Sequence, residues 1–124
     1  MTAYAVAHLR EINFGPEIVE YLERIDETLA PFQGRFLIHG ARAHVLEGHW
    51  HGDLVVVEFP SLERARAWYH SPAYQRILGL RTGNAVGDTF LVEGVPPGYR
   101  ATAVVHKRRR AHRKDPQRAE ADGS

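Results

Sequence analysis

The chain has 124 residues, of which 44% are hydrophobic and 25% charged, with no cysteine and a net charge of +1. That is enough for one domain around a single hydrophobic core, and it excludes a disulfide framework and any thiolate nucleophile or thiolate metal site. No apolar run approaches the roughly 18 residues of a transmembrane helix, so no membrane partner is expected.

The first residues run straight into an alternating pattern and read as a strand rather than a secretory signal, so a cytoplasmic location is expected. Tyr4, Val6 and His8 fall on one face and Ala5, Ala7 and Leu9 on the other. Pro16 suits a first helical position and Glu17 suits the positive end of a helix. Ile18, Tyr21, Leu22, Ile25 and Leu29 then recur at helical spacing, and Pro31 and Gly34 end the helix. Phe36 to Gly40 reads as a second strand, which Ala43 to Leu46 continues after a glycine-marked bend. Glu47 to Asp53 is rich in turn residues and links to a third strand, Leu54 to Phe59, the most apolar run of the chain. Ser61 caps a helix over Leu62 to His70, and Ser71-Pro72 repeats the signature for a second helical segment to about Leu80. Arg81 to Asp88 reads as irregular, and Thr89 to Glu93 as a fourth strand. Val95-Pro96-Pro97-Gly98 closes the domain.

The order β-α-β-β-α-β is the split βαβ pattern of the ferredoxin-like class, an α+β fold. It predicts a four-stranded antiparallel sheet with helices on one face. The other face then carries too many apolar side chains to be left in water, and a second copy is the simplest cover, which predicts a homodimer.

Beyond Gly98 the composition changes. Residues 1–98 hold eight arginines, no lysine and twelve acids, a net of −4, whereas residues 99–124 hold eight basic and three acidic residues, a net of +5. Two regions are expected, a folded domain over 1–98 and a basic, disordered tail over 99–124. Such a tail can bind nucleic acid or anionic lipid, but it lacks interleaved aromatics and reads as a solvated extension, so nucleic acid is not an expected partner.

Gly34-Arg35-Phe36-Leu37, Leu46-Glu47-Gly48, Val57-Glu58-Phe59-Pro60-Ser61, Ala67-Trp68-Tyr69-His70-Ser71-Pro72-Ala73-Tyr74 and Leu91-Val92-Glu93-Gly94 follow one another in this chain. This succession resembles the DUF1330 family, small bacterial proteins of unknown function. The resemblance spans Tyr4 to Gly94. It implies the dimeric α/β barrel, in which two ferredoxin-like subunits bring their sheets face to face. Ala41 departs from it, where family members often carry a second glycine. The same barrel also hosts cofactor-free monooxygenases, muconolactone isomerases and haem-degrading proteins, an analogy of fold that carries no function.

Glu58 is the leading candidate for chemistry. A carboxylate on the face of Leu54 and Val56, turned into a low-dielectric pocket, would have a raised pKa and could act as general acid or base. The plainer alternative is an ion pair with Arg35 or Arg81. His8 lies on the neighbouring central strand and could complete an acid/base pair with Glu58, or be a histidine satisfied in a polar seam. Arg81 could hold a carboxylate ligand bidentately. Tyr69, Tyr74, His39 and Trp50 are candidates for lining the site, against a plain core role for the aromatics. His44, Glu47, His49 and His51 form an H-x2-E-x-H-x-H run around a turn, a spacing that matches no established metal motif, and no metal is expected. No Gly-rich phosphate loop, nucleophile elbow or dinucleotide fingerprint occurs, so no cofactor is expected. The composite expectation is a protein that binds or acts on a small organic molecule by cofactor-free acid/base chemistry. The alternative is a non-catalytic dimeric module.

Overall fold

The computed structural model describes residues 1–114. The chain divides into two compact units, Met1–Gly94 and the segment from Val95 onward.

In the first unit, strands β1 (Ala3–Ile12), β2 (Arg35–His39), β3 (Asp53–Phe59) and β4 (Ala85–Glu93) form one sheet. Helices α1 (Pro16–Leu29), α2 (Leu62–Tyr69) and α3 (Pro72–Thr82) complete it. The strand order is β2-β3-β1-β4 and every neighbouring pair is antiparallel. This is the ferredoxin-like arrangement, with β1 and β3 central. The sheet is open, with β2 and β4 as its edges. The barrel implied by the resemblance needs two such sheets, and one chain supplies a single sheet and no closed barrel.

Local sequence explains the breaks. Pro16 opens α1, and its stripe Ile18, Tyr21, Ile25 and Leu29 is buried. Ser61 caps α2 by accepting from the Arg64 amide at 3.2 Å, and Ser71 caps α3 by accepting from the Tyr74 amide at 3.3 Å. Each such cap contributes about 1 kcal/mol.

Period-two alternation gives the sheet two different faces. Ala3, Ala5 and Leu9 of β1 and Val57 and Phe59 of β3 are buried beneath the helices. Ala5, Val57 and Phe59 pack with Tyr21, Ile25, Leu29, Ala65, Trp68, Tyr74 and Ile77. The other face is uncovered. Ile38, Val56, Val6 and Phe90 lie in register across all four strands there, and Phe90 is 51% exposed.

Two boundaries depart from the sequence pattern. The fourth strand begins at Ala85, inside the stretch that reads as irregular, because it pairs with an extension of β1 to Ile12. Gly87 makes this possible, since a Cβ at that position would collide with the His8 carbonyl oxygen. The second strand stops at His39, and Gly40 to Gly52 carry no strand. Gly52 ends that loop with φ +100° against the Leu9 carbonyl, a conformation and approach open to glycine alone.

In the second unit, Ala103–Lys114 forms helix α4, in the stretch that composition reads as a solvated extension. Alanine, lysine and arginine are good helix formers, which is the physical reason for the difference. The remainder of the expected tail, 115–124, lies outside the described residues. Among the described residues no helix is long and apolar enough to cross a membrane.

Candidate functional site

A cavity of about 320 Å³ lies between the sheet and the helices of the first unit. Its floor includes Ala5 and Ala7 of β1, with Val55 and Val57 of β3. Small side chains on a central strand leave room under the helices. Ile18, Leu22 and Ile25 of α1 form part of the roof, and Phe14, 70% exposed, stands at the rim.

The lining is apolar except for a few groups. Tyr21 and Tyr74 are buried, and their hydroxyl oxygens are 2.7 Å apart. Arg81, on the last turn of α3, is partly buried, with its guanidinium carbon 5.9 Å from the centre of the Tyr21 ring. His39, at the end of β2, and Asp53, at the start of β3, also line the cavity. His39 stacks on Phe36 with ring centres 4.5 Å apart. Trp68 seals the interior, its indole N–H donating to the Thr28 hydroxyl at 3.0 Å.

Electrostatics assign roles to these groups. Burial pushes the Tyr21 phenol far above its ordinary value, and the Tyr74 oxygen adds to the effect. Tyr21 is therefore a neutral hydrogen-bonding group at physiological pH and not a base. Burial alone would lower the Arg81 pKa, but the Tyr74 and Tyr21 oxygens outweigh it and raise the value, so the guanidinium stays charged. Among the described residues no carboxylate lies within 4.0 Å of Arg81, the ion pairs being Arg10–Asp88, Arg24–Glu20 and Arg35–Glu58.

The expected site residues separate into three places. Arg81, Tyr74 and His39 line the cavity. Glu58 and His8 lie on the opposite, uncovered face of the sheet and do not converge with Arg81. Glu58 pairs with Arg35 at 3.0 Å, across β2 and β3. His8 is opposite Leu54 and Glu58 opposite Tyr4, so the two are about 13 Å apart along the strands. The His8 ring makes a 2.6 Å hydrogen bond to the His51 carbonyl and stacks on Trp50 at 4.2 Å. Trp50 is thereby tied to the uncovered face. Tyr69 packs outside the cavity, with its ring 5.6 Å from that of Tyr74. His44, Glu47, His49 and His51 are exposed, and no described group of three His, Asp or Glu side chains could hold a metal ion.

Tyr21 is the residue that pattern reading misses. It sits in an apolar helical stripe and scores as core. The available signal was its hydroxyl, which a buried tyrosine must satisfy. Asp53 and Thr89 also line the cavity, from the same faces of β3 and β4 as Val55 and Leu91.

Residues 2–95 match the family described as a domain of unknown function, DUF1330. The chain belongs to the DUF1330 family. The match covers the whole sheet and the three helices over it. No curated protein matches this DUF1330 chain. Among solved structures it is similar to a protein of unknown function from Rhodopseudomonas palustris, with 15% identity and a TM-score of 0.59 over 77% of this chain and 84% of that one. It is also similar to a dimeric ferredoxin-like protein of unknown function from a Jannaschia species, with 14% identity and a TM-score of 0.58 over 76% and 100% of the two chains. A third likeness is to SnoaB, a cofactor-independent oxygenase from Streptomyces nogalater, with 11% identity and a TM-score of 0.52 over 80% and 98%. At these identities the likeness is one of fold.

Proposed function

We propose that this DUF1330 protein binds a small, largely apolar organic molecule in the cavity between the sheet and α1. The observation that carries this reading is a 320 Å³ apolar space with Tyr21, Tyr74 and Arg81 gathered in its lining. Ligand pockets have this make-up, an apolar body with a few convergent polar groups, and volumes from about 300 Å³ upward. The chemistry available without a cofactor is hydrogen-bond donation from a tyrosine hydroxyl to an oxygen of the bound molecule. A cytoplasmic homodimer joined through the uncovered sheet face is part of the same proposal. The in-register row Ile38, Val56, Val6 and Phe90 supports it, and so does the dimeric description of the Jannaschia neighbour.

A second reading, a non-catalytic dimeric module, is favoured by one observation. Glu58 and His8, the groups expected to do acid/base work, are each engaged elsewhere, with Arg35 and with the His51 carbonyl.

The test is a thermal-shift screen of small apolar compounds, since a ligand that binds only the folded state raises the melting temperature. Hits should shift the wild-type protein and lose their shift in Ala7→Leu, which fills the floor of the cavity. Failure of every compound to shift the wild type, or a shift that survives the substitution, would remove the cavity from the binding role.

A further inference from the structure

Resting on the cavity as the binding site, we propose that its ligand is an apolar carboxylate whose acid group is held by Arg81 beside the Tyr21–Tyr74 hydroxyl pair. Arg81 is a permanent cation at the wall of a mainly apolar space. Moving a charge away from water is costly unless a partner compensates it. Most partly buried arginines find that partner within their own chain. Here no described carboxylate comes within 4.0 Å of Arg81, although three other arginines are paired. Asp53 lines the same cavity from the start of β3 and stays outside that distance.

The tyrosine pair fits the same ligand. Of the two hydroxyl hydrogens, one is used between Tyr21 and Tyr74, and the other remains to donate. An anion beside Arg81 would accept from the guanidinium fork and from that hydroxyl, which is the geometry in which carboxylates bind most strongly. No buried side-chain nitrogen or oxygen among the described residues lacks a partner, so the tyrosine pair is satisfied before any ligand arrives, and what Arg81 lacks is a described counter-charge.

The volume sets the size of the apolar part. A cavity of about 150 Å³ holds benzene, and this one is roughly twice as large. A bicyclic aromatic acid or a medium-chain aliphatic acid is the matching scale.

The experiment uses the full chain and two pairs of probes, 2-naphthoate with 2-naphthamide and octanoate with octanamide. Each pair shares a shape and differs in charge. Affinities are read by calorimetry and by quenching of tryptophan fluorescence, since Trp68 lines the cavity. In at least one pair the acid should bind tenfold or more tightly than its amide. Arg81→Met should abolish that preference while leaving the amide within about twofold, and Arg81→Lys should keep part of it. If amides bind as well as acids, or Arg81→Met keeps the preference, the carboxylate assignment falls and the cavity survives. If no probe binds, the cavity reading falls with it. Should Arg81→Met fail to fold, the wild-type pairs and Arg81→Lys still decide.

Discussion

Removing the hydroxyl of Tyr21 should destabilise the protein more than removing both hydroxyls of the Tyr21–Tyr74 pair would suggest. The two oxygens are 2.7 Å apart, and the residues are only 8% and 2% exposed. A buried polar group that loses its partner costs about 1–3 kcal/mol, whereas removing both partners together can be nearly neutral. Tyr21→Phe strands the Tyr74 hydroxyl, and Tyr74→Phe strands that of Tyr21. Arg81 rescues neither fully, because a guanidinium can donate to the remaining hydroxyl oxygen but cannot accept its proton. Each single variant should therefore lose about 1–3 kcal/mol, and the double variant no more than the worse single. The coupling between them is then about as large as one single effect.

Urea unfolding of the four proteins measures this directly as a double-mutant cycle. Equal slopes across the set would show that the denatured state is unchanged. Additivity within about 0.5 kcal/mol would refute the reasoning, because independent sites add to that precision. The hydroxyls would then be satisfied separately, and the polar end of the cavity would not be a unit.

The same tyrosine predicts an alkaline limit to stability. Burial raises the Tyr21 pKa in the folded chain, while an unfolded tyrosine titrates near 10. Its contribution is full below about pH 10 and falls above it, by up to about 1.4 kcal/mol per pH unit, because only the unfolded chain releases the proton. Tyr21→Phe should flatten that decline in denaturant melts at pH 9 to 11. Glu58→Gln should change stability by less than about 1 kcal/mol, since Arg35, its ion-pair partner, has a 70% exposed side chain. Its ligand-induced thermal shifts should match wild type, and a lost shift would tie the uncovered face to the cavity. Phe90→Asp should convert a wild-type dimer to a folded monomer in light scattering with circular dichroism. A wild-type monomer, or a dimeric variant, would remove the uncovered face as the interface.

The fold was legible because its signals are local and repeated. Alternation in β1, the apolar run of β3, the Ser61 cap and the Ser71-Pro72 cap each mark an element that forms. The start of β4 was not, because Gly87 reads as a loop residue until β1 is seen passing too close for a side chain. The site was legible only in part, for a different reason. Parity along a strand tells which residues share a face and does not tell which face the helices cover. Glu58 and His8 do share a face, as alternation indicates, but it is the uncovered one. Tyr21 and Arg81 were separated by sixty positions, and only packing of α1 beside α3 brings them together.

The cavity itself follows from two alanines. Ala5 and Ala7 face the helices from the central strand β1, where a sheet usually presents larger residues. Trp68, Tyr21 and Tyr74 close the space nearest the core, and the rest stays open. Sealed and dry, a void of 320 Å³ would cost about 8 kcal/mol, as much as the whole stability of many domains. A space of this kind persists when it opens to solvent and serves a ligand. Ala7→Leu should then move stability and binding in opposite directions. The added carbons bury apolar surface in existing space, which stabilises the unliganded protein by up to about 2 kcal/mol, while the ligand-induced thermal shift disappears. Denaturant melts with and without 2-naphthoate separate the two effects. A less stable Ala7→Leu would mean that the space is not there to fill, and the argument from the two alanines would fail at its first step.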